Sequence, residues 1–227
     1  MIIEFFGFPG SGKTTICNRF VKKLKIDNRK VVRGTFDHLT AFERVSCKLF
    51  HSFLCFFISP IFYIKNILSF LGVKNGAKLS FSDFLNVTYL YARYSLFKNT
   101  DKIVVFDQGV IQAYWSILIF SKRGKEYDYH RLFKNVDKVI VLEMDLEQNL
   151  DRLFSREDKS SRVQKETEDM DFYYEEFLKV KEVLNELDIP YRLSLDSAKK
   201  VKKNVKKIRN RIVRDKVGNA VLPHTDD

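Results

Sequence analysis

Nine residues near the start of the chain, Gly7 to Thr15, read GFPGSGKTT and fit the spacing G-x-x-x-x-G-K-[ST]. Gly7, Gly10 and Gly12 let the backbone turn tightly with no Cβ in the way. The N–H groups around Ser11 then converge into a nest for an anion. Lys13 is placed to reach the β- and γ-phosphates of a nucleoside triphosphate, Thr14 closes the motif and offers its hydroxyl to Mg²⁺, and Thr15, the next residue, joins the expected nucleotide-binding set.

The flanking sequence supplies the elements such a loop needs. Ile2 to Phe6 is an apolar run ending at the first glycine, which suits a buried parallel strand. After Lys13, the residues Ile16, Phe20 and Leu24 recur at helical spacing, with Cys17 and Val21 beside them. Strand, glycine loop and helix N-terminus follow in order, and the helix dipole favours a phosphate at the loop.

A second half-site is expected further on. Lys102 to Phe106, KIVVF, predicts a strand that ends at Asp107, whose carboxylate would hold Mg²⁺ beside Thr14. Asp137 to Glu143 predicts another strand. The helix after it carries Arg152 and Arg156 on one face, and Arg162 follows the polar loop REDKSSR. Three arginines around that loop predict a lid, about residues 152–165, that closes positive charge over a triphosphate. Lys30 to Phe36 predicts a strand whose end places Asp37 at a ligand-binding edge. There Asp37 either orients an acceptor or takes its proton, or it caps the next helix.

Between these half-sites lies a helical stretch, about residues 39–98. Leu49 to Ile64 carries no charge apart from a possible one on His51, and Pro60 interrupts it. The expectation is two buried helices broken at Pro60; the alternative is an apolar pocket wall or a membrane-contacting surface. Ser80 and Asp83 predict a capping box opening the next helix. Within that helix, YLYARYSLF, Arg93 is either exposed or aimed at the cleft as a phosphate fork. A helix over Glu166–Leu187, a strand over Pro190–Leu195 and a last helix over Ala198–Arg214 complete the order. Residues 215–227 read as a disordered tail.

A chain of 227 residues with 45% hydrophobic and 30% charged content predicts one soluble domain, residues 1–214. The net charge of +11 is concentrated. Nine basic residues and no acidic one lie between Ser197 and Arg214, which leaves 31 basic against 29 acidic elsewhere. No nucleic-acid-binding motif accompanies them, so no specific nucleic acid partner is expected. Cys17, Cys47 and Cys55 lack metal or disulfide spacing and predict a cytoplasmic protein. The apolar block 49–64 and the basic helix 198–214 are the segments through which it would be peripheral to a membrane.

The whole order resembles the nucleoside and nucleotide kinases, and several stretches are similar to thymidylate kinase. These are YARYSL at Tyr91 to Leu96, FDQGVIQAY at Phe106 to Tyr114, RLFSREDKSSRV at Arg152 to Val163 and FLKV at Phe177 to Val180. The resemblance implies that Arg93, Gln112 and Tyr114 contact the acceptor, and it allows a homodimer. Gln108 stands where the family carries an Arg that helps bind the acceptor's phosphate. The family's Glu-Pro after the second strand is absent, and Ser161 replaces an Asp in the lid. These departures spare the ATP half and alter the acceptor half.

The expected fold is α/β: a P-loop NTPase of nucleotide-kinase type with a parallel five-stranded sheet flanked by helices and an Arg-bearing lid. The expected function is ATP- and Mg²⁺-dependent phosphoryl transfer to a nucleoside monophosphate, a nucleoside or another small acceptor. A hydrolytic ATPase or GTPase switch is one alternative; the chain lacks N-K-x-D and a D-x-x-G after the third strand. The other is a membrane-associated kinase-like protein acting on a lipid-linked or sugar acceptor.

Overall fold

The computed structural model describes residues 1–35, 39–72, 78–121, 127–143, 145–155, 170–186, 192–196 and 201–218. Five strands form one parallel sheet: β1 (Ile2–Gly7), β2 (Val31–Arg33), β3 (Ile103–Phe106), β4 (Lys138–Glu143) and β5 (Arg192–Asp196), in the order β2-β3-β1-β4-β5. Ile2 stands beside Val104, and Phe5 beside Ile140. All six residues of β1 are buried, as the central strand of a sheet covered on both sides must be.

Alternation along β1 divides the core in two. Ile3 and Phe5 face α1 (Lys13–Ile26) and the last helix, where Phe20, Leu24, Ile208 and Ile212 close the layer. Ile2 and Phe6 face α4 (Phe81–Phe97), α5 (Val110–Phe120) and α8 (Met170–Glu186), through Tyr94, Ile111, Trp115 and Phe177. The short α6 (His130–Phe133) and α7 (Leu146–Phe154) complete this side, and α9 (Val201–Gly218) ends the described chain.

The apolar block forms α2 (Ala41–Ile58) and α3 (Pro60–Leu71), with Pro60 at the first position of α3 as expected. Their expected burial does not hold. α4 already covers the sheet, so α2 and α3 lie outside α4 as a further layer and bury only their inner edges. Ser52 and Cys55 are the buried residues of α2, and Ser52 Oγ meets Thr88 Oγ1 of α4 at 2.7 Å. In α3, Phe62 stacks on Tyr91 at 4.1 Å. The outward side chains are exposed: Phe42 by 82%, Phe57 by 65% and Ile61 by 62%, with Phe50, Phe53 and Ile64 among the others.

Two helix starts follow their sequence signals. Ser80 Oγ accepts from Asp83 N at 3.1 Å, and Thr40 and Glu43 form a reciprocal capping box on α2. The last helix runs through Gly218, past the expected end at Arg214, so the expected disordered tail is helical over 215–218. None of the described helices is long and apolar enough to cross a membrane.

Candidate active site

The glycine loop joins the C-terminal end of β1 to α1. Gly10 and Gly12 adopt φ of 95° and 79°, conformations in which an L side chain is strained. A Cβ on Gly10 would also lie 2.5 Å from the Asn149 carbonyl oxygen, so α7 packs directly against the loop. Ser11 N donates to Phe8 O at 3.1 Å and tightens the turn. Lys13 Nζ donates to Gly7 O and, at 3.2 Å, to Phe8 O, which brings the ammonium across the mouth of the loop. α1 begins at Gly12 with no side-chain cap, and Ser11 Oγ is buried without a hydrogen-bond partner. Uncapped N–H groups, an orphaned hydroxyl and a lysine at one helix N-terminus fit a polyphosphate.

Asp107 follows β3 at the same edge and is 2% exposed. Its carboxylate is engaged from β2 and the residues after it. Arg33 pairs with Oδ2 at 3.2 Å, and Thr35 Oγ1 donates to Oδ1 at 3.0 Å. Among the described residues no group of three or more His, Cys, Asp or Glu could hold a metal. A metal here would depend on Thr14, Asp107, water and phosphate oxygens, a donor set that suits Mg²⁺.

A cavity of about 180 Å³ adjoins Asp107 and is lined by Thr35, Arg44, Lys48, Asn86, Gln108 and Gln112, among others. Arg44 and Lys48 are one helical turn apart on the inner face of α2. Lys48 Nζ donates to Asn86 Oδ1 at 2.7 Å and lies 5.7 Å from the centre of the Tyr89 ring. Burial, then the charge of Arg44, pulls the Lys48 pKa below its ordinary value. Among the described residues, no acidic side chain lines the cavity. Gln112 Oε1 is buried there with no hydrogen-bond partner.

The other expected acceptor residues are placed differently. Arg93 is half-buried, donates to Gly34 O at 3.1 Å and stacks on Phe97, so it braces the end of β2. Tyr114 is buried against Tyr129 and Phe133 and does not line the cavity. Burial pushes its hydroxyl up to about 12. Arg152 is exposed on α7. Asp37, Arg156 and Arg162 lie outside the described residues.

Three contributors escaped the sequence reading. Arg44 and Lys48 carried a readable signal, an i, i+4 cationic pair just ahead of the apolar block. Glu4 is the single charge in β1; it is fully buried and accepts from Tyr94 Oη at 2.8 Å, Ile111 N at 2.8 Å and Gln112 N at 3.3 Å. It thereby caps α5, whose own N-cap, Gly109, has no side chain. A Cβ on Gly109 would strike Tyr94 Oη and the Glu4 carboxyl, so only glycine fits. Burial pushes the Glu4 pKa from 4.5 up to about 7, against the lowering effect of those hydrogen bonds.

No protein-family model and no curated protein matches the chain. Solved structures do share its fold. Deoxyadenosine kinase from M. mycoides with bound dATP is 18% identical, with a TM-score of 0.52 over 93% of this chain and 99% of that one. The same kinase with its products dCMP and dCDP is 19% identical, with a TM-score of 0.51 over 94% and 99%. The YorR protein of Bacillus subtilis, in complex with phosphorylated GDP, is 16% identical, with a TM-score of 0.52 over 98% and 100%. The fold is that of the P-loop nucleoside and nucleotide kinases, and the likeness does not single out thymidylate kinase.

Proposed function

We propose that the chain is an ATP-dependent phosphotransferase whose acceptor is a small phosphorylated molecule of the nucleoside-monophosphate class. One observation carries this reading: two anion-binding sites meet at one sheet edge. The glycine loop with Lys13 is one. The other is the cavity beside Asp107, where Arg44 and Lys48 stand and no described lining residue is acidic. A neutral acceptor would leave both cations without a counter-charge from the described lining residues in a partly buried cavity, at a desolvation cost.

Within this reading, Gly7, Gly10, Ser11, Gly12 and Thr15 shape the cradle. Lys13 orients the β- and γ-phosphates. Thr14 and Asp107 would hold Mg²⁺, which supplies charge neutralisation on the phosphates. Arg44 and Lys48 receive the acceptor's anionic group, taking over from the family's Arg that Gln108 replaces. Gln112 offers its unpartnered Oε1 to a donor on the acceptor. Arg152, with Arg156 and Arg162, would close over the transferring group, and Asp37 would orient the acceptor oxygen. Positioning and electrostatics suffice for this chemistry.

The partner proposed for the outer face of α2 and α3 is a second copy of the chain. Eleven large apolar side chains between Phe42 and Leu71 are exposed there. At about 150–250 Å² for a fully exposed ring, their fractional exposures amount to on the order of 1,000 Å². That exceeds the apolar patches of ordinary monomers and meets the roughly 800 Å² per partner of a stable interface.

The test uses γ-labelled ATP and Mg²⁺ with nucleosides, nucleoside monophosphates, sugars and sugar phosphates. Label on phosphorylated acceptors, absent with Lys13→Ala, supports the reading. Label on nucleosides alone would overturn the acceptor class. Free phosphate regardless of acceptor would make the protein a hydrolase.

A further inference from the structure

On the far side of the sheet from the cavity, α1 and α9 pack side by side and enclose a groove of about 430 Å³. α1 lines it with Arg19, Lys22, Lys23 and Ile26, and α9 with Lys202, Val205, Lys206 and Arg209. Each set recurs at i, i+3, i+4 and i+7, one face of each helix turned to the other. Six of the eight residues are cations.

Among the described residues only one acidic group answers them. Asp27 pairs with Lys23 at 3.3 Å and with Arg209 Nε at 2.5 Å, and the Arg209 hydrogen bond is the main cause that holds its carboxyl below the usual range. Arg19, Lys22, Lys202 and Lys206 are exposed and form no ion pair among the described residues. Like charges on adjacent turns and across a groove repel one another, and the arrangement is relieved by an anionic ligand. The groove also has an apolar component. Ile26 is 63% exposed among the cations, while Val205 and the lysine stems provide the floor.

We infer that the α1–α9 groove is a docking site for an anionic lipid surface. Phosphate headgroups meet the four exposed cations Arg19, Lys22, Lys202 and Lys206, and Ile26 enters the boundary between headgroups and acyl chains. The alternative polyanion, a single-stranded nucleic acid, gains from stacking on aromatic rings, and no aromatic residue lines the groove. The apolar hairpin α2–α3 belongs to the opposite side of the sheet, so the two surfaces serve different partners. The inference stands apart from the phosphoryl-transfer reading, since no groove residue belongs to the cradle or the acceptor cavity.

Co-flotation of the full chain with phosphatidylcholine vesicles, with and without phosphatidylglycerol, tests it. The wild-type protein is expected to float only with the anionic vesicles and to be released by high salt. Lys22→Glu with Lys206→Glu, both at exposed positions, is expected to weaken binding by more than tenfold, at about fivefold per basic residue. The phosphoryl-transfer rate of that variant in solution is expected to stay unchanged. Wild-type protein that ignores anionic vesicles would overturn the inference. So would vesicle binding that survives the double substitution yet disappears with Phe53→Asp, which would assign it to the hairpin. Tighter binding to a single-stranded oligonucleotide than to anionic vesicles at the same salt would make the groove a nucleic-acid site.

Discussion

Arg33 and Asp107 form an ion pair at 3.2 Å in which the carboxylate is almost wholly buried and the guanidinium partly open. Asp107 is also the carboxylate proposed for Mg²⁺, so the arginine and the metal draw on the same oxygens. Arg33→Ala should therefore lower the half-saturating Mg²⁺ concentration by about fivefold, the scale of a partly exposed ion pair of roughly 1 kcal/mol. Titrating Mg²⁺ in the phosphoryl-transfer assay reads this directly. An unchanged or raised requirement would remove Asp107 from the metal site.

Arg44 and Lys48 make a separable prediction. Each should contribute one charge-assisted contact to an anionic acceptor. Arg44→Ala or Lys48→Ala should then raise the acceptor KM about 10- to 100-fold. The KM for ATP should move little, because the glycine loop is untouched. Equal losses for both substrates would show a general structural role instead.

Glu4 predicts a pH dependence of stability with a definite sign. Its folded pKa of about 7 lies above the ordinary 4.5, so the folded state holds the proton more tightly. The stabilisation is fully present below about pH 4.5 and is lost as pH rises through 7. At the usual conversion it amounts to about 3 kcal/mol at most. Thermal melts of the wild type and Glu4→Gln across that window should diverge, with the variant flatter. Parallel curves would mean that Glu4 stays ionised in its burial site.

Gly109→Ala should unfold this same neighbourhood, because its Cβ would collide with both Tyr94 Oη and Glu4. A loss of about 1–3 kcal/mol is expected from such overpacking, read as a lower midpoint in urea. A neutral substitution would mean that α5 can slide along the sheet.

Phe53→Glu with Phe57→Glu should yield a monomer by sedimentation velocity where the wild type sediments as a dimer. Both side chains are exposed and leave the α4 contact intact. Wild-type protein that stays monomeric at high concentration would remove the second copy as the hairpin's partner.

The glycine loop was legible from its spacing, and β1, β3 and β4 because a buried parallel strand reads as a largely apolar run, whereas the edge strands β2 and β5 are mixed in polarity and carry no such run. The break at Pro60 was legible for a local reason as well: proline cannot continue a helix but can begin one. Burial of α2 and α3 was not legible, since apolar content says nothing about which element already occupies the sheet. That space belongs to α4. The same apolar density drew the reading away from Arg44 and Lys48, whose importance comes from the cavity their helix faces. Glu4 lay unremarked inside an apolar run, and its use depends on the N-terminus of α5, more than a hundred residues later. For Tyr114 a motif resemblance sets it at the acceptor, while the structure packs its ring against Tyr129 and Phe133.

The helix α2 has two faces with different surroundings. Arg44 and Lys48 line the cavity beside Asp107, the one proposed for the acceptor, and Phe42, Phe53 and Phe57 are exposed. A second copy seated on the outer face would restrain the same rigid rod that carries the two cations. Association and acceptor binding would then be thermodynamically linked, and the linkage would be reciprocal. The acceptor would tighten the dimer by the same factor as the dimer tightens the acceptor, and substrate supply would tune the assembly state without any dedicated regulatory site.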